Sequence, residues 1–332
     1  MLFLSLNPGS TSTKFSLYDG EKELLKSEFH GEISNIEEKL SEKKFSLSQI
    51  DTFGLRVVHG GIKFSAPTKI TNDVLEELRK LSELAPLHNP PAIRIIEQLL
   101  EFDASAKIYA VFDTAFHCTI PEKLKRYAIP KKIADDLGIQ KFGFHGIACQ
   151  SVVQKLKQQN NLPKNLVICH LGGGDSVTAV KNGESMDTSM GFTPLEGLMM
   201  VTRSGDIDEG ATSYVQTKLN LSEAELLELL NKQSGILGIS GSTDIEEVFE
   251  GKTEDSILAR EMFLIRVIKY IFAAAGVLNG LDLVVLSGGI GVGNKWLQEK
   301  ITQAIRPLSA SPLSIIEVDE AEEIRRQVIE KV

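Results

Sequence analysis

Hydrophobic positions along the chain fall into two patterns. Short apolar runs bounded by Gly, Asn, Asp or Pro predict buried strands near 53–58, 107–112, 166–170 and 282–287, because a strand covered on both faces loses its polar alternation. Helical spacing predicts helices near 72–83, 91–101, 145–158, 221–232 and 257–278. In the first of these Leu75, Leu78 and Leu81 follow Asn72, which is expected to cap the helix. Strands alternating with helices predict α/β layers. The tail from Glu317 to Val332 reads as a charged amphipathic helix, which needs a docking surface to be stable.

Two stretches share a layout. Residues 2–20 read as an apolar strand, the turn Asn7-Pro8-Gly9-Ser10-Thr11-Ser12, a second strand and Asp19-Gly20. Residues 166–183 repeat it: strand, His170-Leu171-Gly172-Gly173-Gly174-Asp175-Ser176, strand and Asn182-Gly183. Asp-Gly and Asn-Gly suit tight turns between antiparallel strands. Asn7 and His170 occupy equivalent points, as do Gly9 and Gly172. The pattern predicts a duplicated domain, each copy opening on a hairpin whose first turn offers N–H groups and hydroxyls to a small anion. Two ordinary hairpins would give the same turns.

Composition narrows the class. A chain of 332 residues is long enough for two domains with their own cores. Thirty-six basic against 45 acidic residues leave a formal charge of -9. That balance disfavours nucleic-acid or membrane-surface binding, which needs a clustered basic face. Cys118, Cys149 and Cys169 form no C-x-x-C pair, as expected of a reduced cytoplasm. The apolar opening stops at Asn7 and lacks a cationic lead, so it reads as a strand and not a signal peptide. Asn279 and Asp282 interrupt the longest apolar stretch, which therefore does not read as a membrane span.

Polar residues gather where a core does not need them. Arg56 ends an apolar strand before Gly60-Gly61, a good position for gripping an anion, although a surface Arg would read the same. Pro86 to Pro91 forms a rigid loop presenting His88. Asp113 follows a buried strand, at the end where open α/β sheets bind ligands. His145 lies between glycines at a helix start, a setting more often structural than catalytic. Met190 to Asp208 is long, apolar and Gly-punctuated, and carries Arg203 and Asp206 into a turn; its polarity is too low for an exposed loop. Ser287-Gly288-Gly289-Ile290-Gly291 is expected to be a Gly-rich turn between a strand and a helix, suited to phosphate or a nucleotide sugar. Neither a Walker A sequence nor the dinucleotide fingerprint occurs.

In this order, Asn7–Lys14, Arg56–Gly61, Pro86–Pro91, Phe112–His117, Phe142–Gly146, His170–Asp208 and Ser287–Asn294 resemble the acetate kinase family. The opening block also resembles the butyrate kinases. The resemblance implies two duplicated actin-like ATPase (ribonuclease H-like) α/β domains with a cleft between them. It places one domain at 1–117 plus about 321–332, and a nucleotide-binding domain at 118–320. It implies transfer of the γ-phosphoryl group of ATP to acetate, with Arg56, Asp113, His145 and Arg203 catalytic. Val58, Leu87, His88, Phe144 and Pro194 would bind the carboxylate. Asn7, Ser10, Ser12, Lys14, His170, Gly172, Gly173, Gly174, Asp244, Gly288, Gly289, Ile290 and Gly291 would bind nucleotide. Mg²⁺ or Mn²⁺ would lie at Asn7, Asp113 and Glu320. A cytoplasmic homodimer is implied as well.

Departures from the family pattern cluster on the donor side. The chain is shorter than typical members, with losses around 30–50 and near 305–315. Gly172-Gly173-Gly174 stands for the family's Gly-Asn-Gly, and Ser242-Thr243-Asp244-Ile245-Glu246 for Ser-Ser-Asp-x-Arg. Gly291-Val292-Gly293-Asn294 lacks the family's Glu, and Val318-Asp319-Glu320-Ala321 replaces Thr-Asn-Glu-Glu. The alternatives are therefore a different donor such as pyrophosphate, propionate or butyrate as acceptor, and a weakly catalytic ligand-binding regulator on the same fold.

Overall fold

The computed structural model describes the chain except Ser10, Thr11, Leu87 and residues 309–312. Ser10 and Leu87, both site candidates from the sequence, thus lie outside the described residues. Two compact units form. Unit 1 comprises Met1–Cys118, His145–Ser151 and Asp319–Val332; unit 2 comprises Thr119–Phe144 and Val152–Val318.

Unit 1 is built on the strands β1 (Leu2–Pro8), β2 (Thr13–Asp19), β3 (Lys22–Phe29), β4 (Thr52–Val57), β5 (Thr68–Lys69) and β6 (Ile108–Phe112). Their order is β3-β2-β1-β4-β6-β5. β1 pairs antiparallel with β2 and parallel with β4, and β4 pairs parallel with β6. Leu4, Leu6, Leu55, Val57 and Ala110 turn into one core with Leu78, Ile96 and Leu99, from the helices Asn72–Leu81 and Asn89–Phe102. On the other side Ile324 and Val328 of the tail helix Glu320–Ile329 pack with Phe3, Tyr18, Val111 and Ile147. Gly54 makes that contact possible: a Cβ there would lie 2.5 Å from the Phe3 ring and 2.7 Å from Ile324.

Unit 2 repeats the scheme with β7 (Asn165–Leu171), β8 (Asp175–Lys181), β9 (Glu184–Thr188), β10 (Leu283–Ser287) and β11 (Leu313–Ile315), ordered β11-β10-β7-β8-β9. Again a hairpin of the first two strands is extended by a third antiparallel strand, and the first strand pairs parallel with a crossover strand. The duplication anticipated from the two hairpins is therefore a duplication of sheet topology. Its core forms as the long helix Glu254–Leu278 lays Phe263, Val267 and Ile271 against Val167, Cys169 and Val284. Among the described residues no helix is long and apolar enough to cross a membrane.

Two local expectations change. The first helix is capped by Thr71, whose hydroxyl accepts the Val74 N–H at 3.3 Å from an extended backbone; Asn72 is already helical. Either residue type can cap, and the backbone angle at 71 decides it. The expected Gly-rich turn after β10 is instead a short helix, Gly288–Gly293, entered directly from the strand through Gly288 at φ +75°.

Candidate active site

In unit 1, β1, β4 and β6 run parallel, so their C-terminal ends share one edge, the edge at which open α/β sheets present ligand-binding groups. Asn7, Arg56 and Asp113 lie at those three ends and meet. Arg56 donates from Nε and Nη2 to Asp113 Oδ2 at 2.9 and 2.5 Å, and from Nη1 to Asn7 Oδ1 at 3.0 Å. Asn7 Nδ2 donates to Glu320 Oε2 at the first turn of the tail helix. Burial works against the Arg56 charge, yet the Asp113 and Glu320 carboxylates outweigh it and raise its pKa above the ordinary value. Burial raises Asp113, with Arg56 pulling it back down.

His145 is brought beside the Asp113 strand end through the backbone. It sits at φ +60°, a strained region for a residue with a Cβ, immediately before the helix Gly146–Gln158. The Gly146 N–H donates to the Asp113 carbonyl at 3.0 Å, and a Cβ on Gly146 would come within 2.0 Å of that oxygen. The glycine is therefore required, and the strand end carrying Asp113 is pinned to the helix start carrying His145. Nearby, fully buried Asn89 accepts the His59 N–H and donates to the His59 carbonyl, both at 3.0 Å. It fixes the exit of β4 next to buried Val58. His88, half-buried, precedes Asn89 at the start of its helix. Lys14 is exposed opposite Asn7 in the β1–β2 ladder, and Ser12 accepts the Gly9 N–H through its carbonyl at 2.8 Å.

In unit 2 the Met190–Asp208 segment is held in place by groups far away in sequence. Tyr127 accepts the Phe192 N–H at 2.8 Å and hydrogen-bonds Glu196. Asp206 accepts the Gly197 N–H at 2.8 Å and the Tyr270 hydroxyl at 2.5 Å. Met190, Leu198, Met199 and Met200 are buried, which accounts for the low polarity of the loop. Arg203 emerges from it largely buried, with only the Pro194 carbonyl at 3.3 Å and the Met200 sulfur at 3.7 Å as partners of Nη1. No carboxylate pairs with it among the described residues. Burial lowers its pKa, opposed by the charge of Asp175. A desolvated guanidinium without a carboxylate is unfavourable unless an anion arrives. Phe144 is buried in this unit.

The second Gly-rich turn is tied down by a buried carboxyl of its own. Asp175 is fully buried; Oδ1 accepts the Gly172 N–H at 2.7 Å and Oδ2 has no hydrogen-bond partner among the described residues. Burial pushes this carboxyl up to about 8, with Gly172 and Arg203 drawing it back. His170 Nδ1 lies 3.2 Å from Ser287 Oγ, tying the end of β7 to the end of β10. A Cβ on Gly172 would lie 3.7 Å from the Gly289 nitrogen, so the turn and the Gly288–Gly293 helix start adjoin. Open space surrounds Gly173 and Gly289. Next to Gly289 opens a cavity of about 520 Å³ lined by Ile245, Glu246, Phe249, Glu250, Ile290, Gly293, Asn294, Lys295 and Trp296. Asp244 caps the Ile245–Glu250 helix, accepting the Glu247 N–H at 3.0 Å.

Unit 1 thus brings together Asn7, Arg56, Asp113 and Glu320, and unit 2 sets His170, Gly172 and Gly289 side by side. Sequence reasoning passed over Asn89, the acceptor role of Asp175, and the Tyr127–Glu196 and Asp206–Tyr270 braces. Only Asn89 had a local signal, as a polar residue inside a Pro-fixed loop. Among the described residues no group of three or more His, Cys, Asp or Glu is arranged to hold a metal. The unit 1 donor set nevertheless suits a hard, oxygen-seeking cation that binds through one or two carboxylates plus substrate phosphates. Two carboxylates and an amide converge there, and Asp113 Oδ1 has no side-chain partner among the described residues.

A duplicated sheet of this topology is that of the actin-like ATPase fold class. The acetokinase family profile matches residues 24–319. The acetate kinase of Desulfitobacterium hafniense (strain DSM 10664 / DCB-2) is 40% identical over 306 residues, covering 88% of this chain and 77% of that one. A propionate kinase structure from Francisella tularensis superposes with a TM-score of 0.90 at 33% identity, covering 98% of both chains. The Porphyromonas gingivalis acetate kinase superposes at 0.88 with 30% identity over 99% of both. The chain belongs to the acetokinase family.

Proposed function

We propose that this protein transfers the γ-phosphoryl group of ATP directly to acetate, giving acetyl phosphate and ADP. The observation that carries the reading is Arg203: a largely buried guanidinium, held by a carbonyl and a thioether, with no carboxylate in contact with it among the described residues. A transferring phosphoryl group spreads its charge over three oxygens, and its catalysis is chiefly positioning plus cationic stabilisation. Arg203 and Arg56 supply that charge, and an Arg fork matches two phosphoryl oxygens. His145 donates a further hydrogen bond to the group. The acetate oxygen is already a nucleophile, so no general base is required. Val58, His88, Phe144 and Pro194 are assigned to the acetate. Propionate is the closest competing acceptor, because one methylene in an apolar pocket is worth only about 1–3 kcal/mol.

On the donor side, the triphosphate is assigned to the Gly172–Gly174 turn and Gly289, with the base in the adjoining cavity. Asn7, Asp113 and Glu320 would hold Mg²⁺, which when bound neutralises phosphate charge. Arg56 orients Asp113 and Asn7 for that purpose through the hydrogen bonds described above. A hydroxylamine trap for acyl phosphate tests the reading, run with ATP, GTP and pyrophosphate against acetate, propionate and butyrate. Acetyl hydroxamate with ATP is expected. Product with pyrophosphate alone would replace the donor, and no product with any pair would sink the kinase reading.

The assembly is assigned as a cytoplasmic homodimer, paired through the Glu254–Leu278 helix. Its solvent side carries Leu258, Ile265 and Phe272, between 38% and 51% exposed. A two-fold axis at Ile265 would set Leu258 against Phe272 and Glu261 against Lys269, so the face is complementary to itself in both shape class and charge.

A further inference from the structure

The donor cavity in unit 2 has a wall that accepts hydrogen bonds and donates none. Glu246 and Glu250 stand four residues apart on the Ile245–Glu250 helix, so both line the cavity from the same side. Neither carboxylate makes an ion pair or hydrogen bond among the described residues, in contrast to Asp244 and Glu247 on the same helix, which are committed to the cap and to Ser242. Aromatic surface lies beside them: Phe249 meets the Trp296 ring edge-on at 5.6 Å, and Arg260 covers Trp296 at 5.5 Å. The cavity also includes Gly289, which adjoins the Gly172–Gly174 turn. A base in this space would therefore be continuous with phosphates at that turn.

A carboxylate has two acceptor oxygens side by side and no donor. Guanine presents two adjacent donors, N1–H and the exocyclic N2–H, spaced to meet both oxygens of one carboxylate in charge-assisted bonds. Adenine presents its N6–H beside N1, an acceptor. Against a carboxylate it makes one good hydrogen bond and one lone-pair repulsion. An amide reverses the order, since Gln offers one acceptor and one donor, the pattern that fits adenine.

We infer that the Glu246–Glu250 wall reads the base of the phosphoryl donor and selects guanine over adenine nucleotides. This rests on the assignment of the cavity as the donor site. ATP remains a substrate, and GTP is the better one. Hypoxanthine, with N1–H but no exocyclic amine, falls between them.

The chain contains a single tryptophan, Trp296, and it lines the cavity, so its fluorescence reports nucleotide binding without turnover. Titration with GDP, IDP and ADP should give affinities in that order, with GDP about tenfold tighter than ADP, the size expected for one charge-assisted hydrogen bond. In the Glu246→Gln, Glu250→Gln double variant the order should reverse, with ADP tighter than GDP. Both carboxylates are exposed, so the isosteric changes leave folding intact. The acyl phosphate assay with GTP and ATP should follow the same two orders in kcat/KM. ADP binding as tightly as GDP to the unmodified protein would overturn the inference, as would a guanine preference unchanged in the double variant. Turnover with ATP in either case would leave the kinase reading standing, whereas acyl phosphate from neither nucleotide would remove that reading instead.

Discussion

Arg56 grips Asp113 by a single oxygen: Nε and Nη2 both donate to Oδ2, at 2.9 and 2.5 Å, leaving Oδ1 without a side-chain partner among the described residues. A pair built only for stability would use both oxygens in a parallel fork. The arrangement spends the guanidinium on orienting the carboxylate and keeps one oxygen for something else. Asp113→Ala should cost about 3–5 kcal/mol, because it strands a buried cation. The Arg56→Met, Asp113→Leu pair should recover most of that loss while remaining inactive. Urea denaturation of the four proteins checks both statements.

Arg203 should behave in the opposite way. No carboxylate contacts it among the described residues, and burial outweighs the charge of Asp175, so Arg203→Met removes a desolvated cation and should raise stability, by about 1 kcal/mol. Turnover should fall by about 10²–10³-fold with little change in the KM for acetate, the signature of a group acting in the transition state. A parallel loss of stability and of acetate affinity would contradict the assigned role.

Two buried groups should tilt stability with pH in opposite directions, opposing each other between about pH 4 and 6.5 and leaving a net loss from there to about 8. Burial lowers His59 to about 4, against an ordinary value of 6.5. Its contribution is complete above pH 6.5 and disappears as pH falls towards 4, because the unfolded chain takes up the proton first. Asp175 is raised to about 8 from 3.8. Its contribution is complete below pH 4 and is lost as pH rises through 8, because the unfolded chain releases its proton first while the buried carboxyl keeps its own. Asp175→Asn keeps an acceptor for the Gly172 N–H and should abolish the fall between pH 6.5 and 8 while uncovering the His59 loss below 6.5. Thermal melts from pH 5 to 9 would show it.

The two-fold pairing along Glu254–Leu278 predicts that Ile265→Asp gives a monomer by light scattering. Glu261→Lys should weaken the dimer, and adding Lys269→Glu should restore it, since the exchange preserves the complementary charges. Unchanged mass for Ile265→Asp would place the interface elsewhere.

Features set by local pattern were legible in the sequence. The two hairpins announced the duplicated topology through Asp19-Gly20 and Asn182-Gly183, and β4, β6, β7 and β10 matched their apolar runs to within one or two residues. The placement of Arg56 and Asp113 at neighbouring strand ends follows from parallel pairing of two runs that could be read individually. What could not be read depends on distance or on one backbone angle. Asn7 meets Glu320 across 313 positions, and Tyr270 meets Asp206 across 64. The Thr71 cap rests on the extended backbone at that residue, which neighbouring Asn72 conceals in the sequence. Asp175 reads as a turn residue, and only its burial reveals a carboxyl competing for the N–H of a Gly-rich turn.

Direct transfer to a carboxylate oxygen is tested most squarely by ³¹P spectroscopy of ATP and Mg²⁺ mixed with ¹⁸O-labelled acetate. The account predicts ADP together with acetyl phosphate whose bridging oxygen carries the label. Formation of AMP and pyrophosphate, or the absence of any acyl phosphate, would contradict it.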